Sequence, residues 1–290
     1  MLLAEPALLP SVSAHQRVDG ATRIEFAATQ GQTRLADLYQ RAPCRVLFPD
    51  VDPGEPVQAV LLTTSGGLTG GDRLRVDIAA AAGAQATVTA QAAEKIYRSL
   101  PGAEPAHIEA HVTAAAGSYV EYLAQETILF DGARLRRRFD ADLAPGARLL
   151  AVESLVFGRR AMGEHYTRGY VHDAWRIRRD GRLIFADALH LDGNVAALRA
   201  APFGFGAANA YATLIYAADD APALLESVRE RLIARGIASM AHATTREHLL
   251  ILRLLADDAA ALRRALIHCA GILRALAAGL PERLPKVWYC

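Results

Sequence analysis

The segment GAQATVTAQ (Gly83–Gln91) introduces a pattern that the chain repeats twice. GSYVEYLAQ (Gly117–Gln125) and GARLLAVES (Gly146–Ser154) also place a glycine and a small residue in front of a strand-like run. The three glycines are 34 and 29 residues apart. A period near 30 residues is typical of stacked β units that bury their faces against each other. The repeat therefore predicts a stacked β-strand, β-helix-like body.

The pattern changes near residue 210, where helical periodicity begins to alternate with strands. A strand over 212–216 precedes a helix over about 222–236, and two strands then lead to a second helix over about 258–279. This order is βαββα. We therefore predict a mainly β fold, with a β-rich body over 1–209 and a smaller C-terminal α/β unit containing two α-helices over 210–290. The two parts are expected to pack as a single compact chain.

The clearest hairpin is predicted over 170–190, around Asp180-Gly181. This dipeptide suits the two positive φ values of a type I′ turn. A regular register from that turn places Asp173 diagonal to His190, and His172 on the opposite face. The sequence thus argues against a site formed by His172 and His190.

Composition excludes several classes of function. The formal net charge is +1, which gives no bulk attraction to nucleic acid or to anionic lipid. Cys44, Cys269 and Cys290 are far apart and form neither a metal knuckle nor a disulfide framework, so a reducing cytosol is expected. The N-terminus lacks the basic region of a secretory signal, and no apolar run reaches the roughly 20 residues that span a bilayer.

The glycine-rich stretch TSGGLTGGD (Thr64–Asp72) is the most prominent motif. One hypothesis is a nucleotide-binding module in which the loop from Gly66 to Asp72 cradles phosphate. A P-loop, however, needs a lysine followed by a helix, whereas a strand over 73–78 follows here. A loop that connects two strands is the favoured interpretation.

Four carboxylates lie near one another in the sequence: Glu126, Asp131, Glu153 and Glu164. A hydrolase that uses them for acid–base chemistry is an alternative hypothesis. The chain has no Gly-x-Ser-x-Gly elbow and no His-Glu-x-x-His motif to support it. Ion pairs with nearby arginines are favoured instead.

The histidines raise the question of a metal site. On a strand, His107, Glu109 and His111 share one face, and their spacing suits a metal ion. The favoured interpretation is the polar face of an exposed strand. The sequence therefore predicts no closed, high-affinity metal site.

Five stretches, taken together and in order, resemble the urease accessory protein family UreD, called UreH in some organisms. They are Thr64–Asp72, Ala92–Ser99, Gln125–Ala133, Phe157–Glu164 and Leu284–Trp288. The resemblance implies a mainly β, helix-like stack with two α-helices. It also implies a cytoplasmic maturation chaperone rather than an enzyme.

The resemblance further implies a set of partners and a cargo. Such proteins bind the urease apoprotein and a UreF-like protein, which recruits a UreG-like GTPase. Nickel released on GTP hydrolysis passes through the UreD-like protein, with an internal water-filled tunnel as one route. No tightly bound cofactor is expected, only transient Ni²⁺, and the isolated chain is expected to be poorly soluble without UreF.

The same resemblance provides candidate residues. The candidates for a transient nickel route are Asp72, Glu126, Asp131 and Glu164, because carboxylates attract the cation without the tight hold of several imidazoles or thiolates. The candidates for an interface or tunnel are Ser65, Gly66, Gly67, Gly70, Gly71, Tyr97, Arg98, Ser99, Gln125, Arg159 and Trp288. Retention for folding alone is the alternative explanation for each of them.

Overall fold

The computed structural model describes residues 17–290, so the N-terminal segment that the sequence argues is not a secretory signal lies outside the described residues. The described chain forms two β-sheets. In spatial order, the first sheet contains β14 (Arg182–Asn194), β13 (Arg168–Arg179), β11 (Arg134–Leu143), β8 (Ala106–Ala114), β5 (Arg73–Ala80), β1 (Asp19–Thr29) and β2 (Gln32–Arg41).

The second sheet has ten strands. In spatial order, eight of them are β16 (Ala241–Arg246), β17 (Leu249–Ala256), β15 (Ala210–Ala217), β12 (Arg148–Phe157), β9 (Tyr119–Leu123), β6 (Gln85–Ala90), β4 (Val57–Thr63) and β3 (Cys44–Leu47). Two short strands, β7 (Glu94–Ile96) and β10 (Thr127–Leu129), pair with each other, and β10 also pairs with β12.

From β4 to β13 the chain passes repeatedly from one sheet to the other, so that successive strands within each sheet are parallel. In the first sheet β5, β8, β11 and β13 are parallel neighbours, and in the second β4, β6, β9 and β12. Each circuit supplies one strand to each sheet and stacks on the circuit before it. The β-helix-like body predicted from the repeat is confirmed.

The repeated glycines form the turns from the first sheet to the second. Gly83, Gly117 and Gly146 have φ values of 70°, 66° and 68°, a left-handed conformation that glycine adopts without steric cost. The turns stack, since the amide of Ala115 donates to the Ala80 carbonyl and that of Ala144 to the Ala114 carbonyl, both at 2.9 Å. The 34- and 29-residue spacings are therefore the lengths of successive circuits.

The C-terminal elements occur in the predicted βαββα order. The second sheet continues antiparallel from β12 through β15, β17 and β16. Two α-helices accompany these strands, α2 (Leu225–Ala234) and α3 (Ala259–Ala278). A short helix that the sequence did not predict, α1 (Val195–Ala200), follows β14. Among the helices within residues 17–290, none has both the length and the apolar character needed to cross a bilayer.

Helix α3 has clear local signals at both ends. The side chain of Asp258 accepts a hydrogen bond from the Ala261 amide at 2.9 Å, and Gly279 ends the helix with a φ of 64°. Its apolar stripe, including Leu266, Cys269 and Leu273, packs with β12, β15 and β17 on the face of the second sheet that points away from the first. The interior thus has three layers: first sheet, second sheet and helices.

The hairpin of β13 and β14 differs from the predicted register. Asp180 and Gly181 both have positive φ, as the type I′ turn requires. A β-bulge next to Ile177 then shifts the pairing by one residue, so that His172 faces His190 directly, with ring centroids 5.6 Å apart. The prediction that these two histidines lie on opposite faces is wrong. A bulge is an insertion into the ladder that the hydrophobic alternation of one strand does not reveal.

The C-terminal segment is fixed by Trp288, which is 2% exposed. Its indole Nε1 donates to Thr89 Oγ1 at 2.9 Å, and the ring lies in the same core cluster as α3. The segment therefore closes the helical side of the second sheet.

Replacing Trp288→Ala should lower the free energy of unfolding by about 3–5 kcal/mol, because it removes a large buried ring and leaves a cavity. Tyr289→Ala is the matched control: that ring is 57% exposed, and its loss should cost about 1 kcal/mol or less. Urea denaturation of both variants measures the difference. Equal losses would contradict the assignment of Trp288 as the anchor.

Candidate functional site

Four of the five motif stretches meet along one edge of the β body, opposite the glycine turns. Leu68, Ile96, Leu129 and Phe157 are buried there as successive rungs. The Leu68 amide donates to the Lys95 carbonyl at 2.8 Å, the Phe130 amide to Ile96 at 3.0 Å and the Gly158 amide to Leu129 at 2.8 Å. We call this edge, formed by residues 64–72, 94–99, 127–132 and 155–159, the motif corner. Each stretch is the return from the second sheet to the first in one circuit.

Two glycines of the motif corner permit close contact. A Cβ on Gly67 would lie 2.7 Å from Cε2 of Tyr97 and 2.9 Å from the Lys95 carbonyl oxygen. A Cβ on Gly70 would lie 2.7 Å from the Glu104 carbonyl oxygen and 2.8 Å from Oγ of Ser99. The two positions thus allow the glycine-rich loop to pack against the next circuit.

The amides of Leu68, Thr69, Gly71 and Asp72 in this loop are engaged within the protein. The carboxylate of Asp72, which is buried, accepts from the amides of Thr69 at 2.7 Å and Val18 at 2.9 Å. Leu68 donates to the Lys95 carbonyl, and the Gly71 amide donates to Pro105 at 3.2 Å. Asp72 therefore closes the loop on itself and on the start of β1. A phosphate cradle would need these amides free.

The outer surface of the motif corner carries a chain of polar contacts. Asp131 Oδ1 accepts from the amide and hydroxyl of Thr167, both at 2.8 Å, and Oδ2 lies 3.4 Å from Nη2 of Arg98. Burial acts to raise the pKa of Asp131, but these hydrogen bonds and the Arg98 charge outweigh it and hold that pKa below its usual value. Glu164 accepts from Arg159 Nε at 2.5 Å and from the Asp131 amide at 3.2 Å.

Gln125, Glu126 and Trp288 meet at a second place, the junction with α3. Arg263 of α3 donates to the side-chain oxygens of Gln125 at 3.0 Å and Glu126 at 2.7 Å, and to the Trp288 carbonyl at 2.9 Å. The Gln125 amide group bridges to the carbonyl of Val287 at 3.0 Å. The junction attaches the C-terminal segment to the motif corner.

A cavity of about 270 Å³ lies between the two sheets behind the motif corner. Its polar lining includes Thr22, Cys44, Thr63, Ser65, Glu94, Tyr122, Gln125, Arg137 and Glu153, and Gly66 and Gly67 form part of its wall. The nickel-route candidates Asp72, Glu126, Asp131 and Glu164 lie outside this lining. The sequence predicted a role for Ser65, Gly66, Gly67 and Gln125 of this lining, considered Glu153 only for the alternative hydrolase, and gave no role to Cys44 or Glu94.

The inner end of the cavity is a buried charged cluster. Arg137 makes a bidentate pair with Asp173, with Nε–Oδ1 at 2.9 Å and Nη2–Oδ2 at 2.7 Å, and also donates to Thr127 Oγ1 at 3.1 Å. Glu153 Oε2 lies 3.4 Å from Arg137 Nε, too poorly aligned for a hydrogen bond. Burial raises the pKa of Glu153, and the charge of Asp173 adds to the rise while Arg137 opposes it.

The outer end of the cavity contains a thiol and a carboxylate. Burial raises the pKa of Cys44 above its usual value, partly offset by the Thr22 hydroxyl, which neighbours the thiol but does not meet hydrogen-bond geometry with it. Burial also raises the pKa of Glu94, partly offset by hydrogen bonds from the Lys95 amide and the Thr63 hydroxyl. Within residues 17–290, three side-chain atoms on the cavity lining have no hydrogen-bond partner: Thr22 Oγ1, Ser65 Oγ and Glu153 Oε2. Although most of the lining is apolar, these polar groups and the volume of the cavity provide partners and room for water or a hydrated cation.

His107 and His111 lie elsewhere, on the outer face of the first sheet. His111 Nε2 is 2.8 Å from Asp142 Oδ2, and His107 and Glu109 lie beside it on β8. In the part of the chain that the structure describes, no group of three or more His, Cys, Asp or Glu side chains is arranged to hold a metal ion. These residues form the polar face of the sheet.

Comparison with known proteins establishes the family. The sequence model described as UreD urease accessory protein matches residues 18–289. The chain belongs to the UreD urease accessory protein family. A urease accessory protein UreD of a Methylobacterium species is 44% identical over 283 residues, which cover 96% of this chain and 97% of that protein. The UreD proteins of Magnetococcus marinus and Rhizobium rhizogenes are each 42% identical, over 94% of this chain and 94% and 96% of their own lengths.

Membership assigns this UreD family chain a role in urease maturation. It is an accessory protein that acts as a chaperone in metallocentre assembly, not an enzyme. The hypothesis of a carboxylate-based hydrolase is therefore dropped. Four of the five stretches that carried the resemblance coincide with the motif corner, and the fifth, at the C-terminus, is joined to it through the α3 junction.

Gly67→Ala in this UreD family chain should lower the free energy of unfolding by about 2–4 kcal/mol. The added Cβ would collide with Tyr97 and the Lys95 carbonyl, and the glycine has a φ of 136°. Gly66→Ala is the matched control, since no atom lies within 4 Å of a Cβ at that position. Chemical denaturation compares the two, and similar losses would show that the loop is not held by close contact.

The raised pKa of Glu153 predicts a pH-dependent stability. The pKa of Glu153 is about 8 in the folded state and about 4.5 in the unfolded state. Between these two pH values the folded state therefore binds more protons than the unfolded state does. Its contribution to stability is therefore lost as the pH rises from about 5 through 8. In urea denaturation Glu153→Gln should gain stability relative to the parent over that range. Glu226→Gln on exposed α2 should show no such trend, and a trend shared by both variants would contradict the assignment.

Proposed function

We propose that this UreD family member is a cytoplasmic scaffold that delivers nickel during urease maturation. It would bind the urease apoprotein and a UreF-like protein, which brings a UreG-like GTPase, and nickel would pass through the cavity between the two sheets. The observation that carries the proposal is the cavity itself, whose mostly apolar lining includes three buried polar atoms without hydrogen-bond partners within residues 17–290.

The charges on the lining suit passage of a cation rather than its storage. Glu94 and Glu153 offer carboxyl oxygens that a divalent cation would bind on displacing their protons, while Arg45 and Lys95 line the same cavity and limit how strongly the cation is held. The charge of Arg137 is compensated by Asp173. Oxygen ligands hold Ni²⁺ less tightly than several imidazoles or thiolates do, so the ion would leave again.

The motif corner is the proposed surface for a partner. Tyr97 and Leu100 are exposed there, and Met162 is exposed in the turn that follows residues 155–159. Arg159 lies over the ring of Phe130 at 4.0 Å, and Tyr97 contacts the same ring edge-on at 4.7 Å. A rim of charged groups around exposed apolar side chains is typical of protein interfaces. The exposed apolar groups also support the expectation of poor solubility without UreF.

GTP hydrolysis would belong to the partner GTPase. The glycine-rich loop has no lysine, and its amides donate within the chain. The three cysteines, all within residues 17–290, are free thiols, which supports a reducing compartment.

The test uses tagged protein co-expressed with the urease structural and accessory genes, followed by capture and measurement of the nickel content of urease. The parent chain should retain the urease apoprotein and the UreF-like protein. Glu153→Gln should retain both partners but slow nickel loading about fivefold, the effect of losing an interaction worth roughly 1 kcal/mol. Glu226→Gln, an exposed carboxylate on α2 outside the cavity lining and the motif corner, is the matched control and should load nickel normally. Glu164→Gln, at the surface of the motif corner, tests a route over that surface.

Two results would contradict the proposal. One is capture of neither partner, combined with full nickel loading when the gene is deleted. The other is normal loading by Glu153→Gln and slow loading by Glu164→Gln, which would move the route from the cavity to the surface of the motif corner.

A further inference from the structure

The outer end of the cavity brings together donor atoms from four separate segments. Cys44 begins β3 and lies directly opposite Thr63 of β4 in an antiparallel pair, a position in which Cβ atoms are about 4.5–5.5 Å apart. The Thr63 hydroxyl in turn donates to Glu94 Oε2 at 3.3 Å. Thiol and carboxylate thus flank one hydroxyl group on the same wall.

The surroundings of the thiol are tight and polar. Cys44 is 4% exposed, and its Sγ lies so close to Gly20 that a Cβ there would be 2.7 Å away. Thr22 lies two residues after Gly20 on β1 and therefore on the same face of the strand. It is 2% exposed and lines the same cavity. Its Oγ1 has no hydrogen-bond partner among residues 17–290. A buried hydroxyl left without a partner destabilises the fold unless something in the cavity satisfies it.

The donor set matches a particular class of ligand. One sulfur, one carboxylate and two hydroxyl oxygens form a mixed soft and hard environment that suits borderline transition-metal cations better than Mg²⁺ or Ca²⁺. A single thiol does not make the closed site of a structural zinc ion, which needs four strong protein ligands. A cation here would keep water ligands and exchange.

We propose that Cys44, Glu94, Thr22 and Thr63 form an exchangeable coordination station for a divalent transition-metal cation at the outer end of the cavity. The station rests on the proposed function, because it is a point on the proposed nickel route. It adds that the sulfur of Cys44 is one of the ligands on that route. On binding, Sγ forms a bond to the cation and the proton of the thiol leaves to water.

The experiment uses the full chain carrying Cys269→Ala and Cys290→Ser, so that Cys44 is the sole thiol. Ni²⁺ or Co²⁺ is added, and the sulfur-to-metal charge-transfer absorption is followed. The band should appear with the sole-Cys44 chain and disappear on Cys44→Ser. Glu94→Gln should keep the band but weaken cation binding about tenfold. A chain in which Cys290 is the sole thiol is the control for an exposed cysteine.

Protection from alkylation provides a second readout that does not depend on absorption. Ni²⁺ should slow modification of Cys44 by a small maleimide in the sole-Cys44 chain, and Mg²⁺ at the same concentration should not. Thr22→Val, which keeps the shape of the side chain, should reduce the protection.

Absence of both the band and the protection in a folded sole-Cys44 chain would overturn the station, as would an equal band from the sole-Cys290 chain. Neither result bears on partner capture or on the Glu153→Gln loading experiment, so failure of the station and failure of the proposed function are distinguishable.

Discussion

The buried ion pair between Arg137 and Asp173 is the interaction on which the interior depends. Both residues point from the first sheet into the space between the sheets, with 3% and 4% exposure. The bidentate geometry satisfies Asp173 fully, and a third contact to Thr127 ties Arg137 to the second sheet. Removing one partner of such a pair costs about 3–5 kcal/mol, because it leaves an uncompensated buried charge.

This pair also divides the core. One apolar cluster, containing Phe139 and Trp175, lies on the side of the glycine turns, and another, containing Leu135 and Phe157, lies under the motif corner. The polar layer between them includes the inner end of the cavity. Because Arg137 is already engaged with Asp173, Glu153 is left with an oxygen free of hydrogen bonds within the described chain. The polar inner end of the cavity follows from that arrangement.

The stacked circuits connect this interior to the surface. Each circuit has a glycine turn at one end and a segment of the motif corner at the other, and each rung is hydrogen-bonded to the next. Gly67 therefore belongs both to the outer surface and to the cavity. Its Cα packs against Tyr97 on the outside, and its backbone forms part of the cavity wall. A partner that contacts the motif corner touches the wall of the cavity, which links binding to the proposed route by direct contact.

The sequence by itself determined the elements whose signals are local. Glycine turns recur at the period of one circuit, Asp258 and Gly279 delimit α3, and Asp180-Gly181 marks the hairpin turn, because each depends on the φ preferences or hydrogen bonds of a few neighbouring residues. The five stretches indicated the urease accessory role by their resemblance to the family, which the family match over residues 18–289 confirms. Only the tertiary structure decided the bulge that brings His172 opposite His190, and the engagement of Asp72, Asp131 and Glu164 by nearby donors. It alone brought Thr22, Cys44, Glu94 and Glu153 to one cavity. Residues so far apart in sequence become neighbours through sheet register and circuit stacking, which are properties of the packed chain rather than of any one segment.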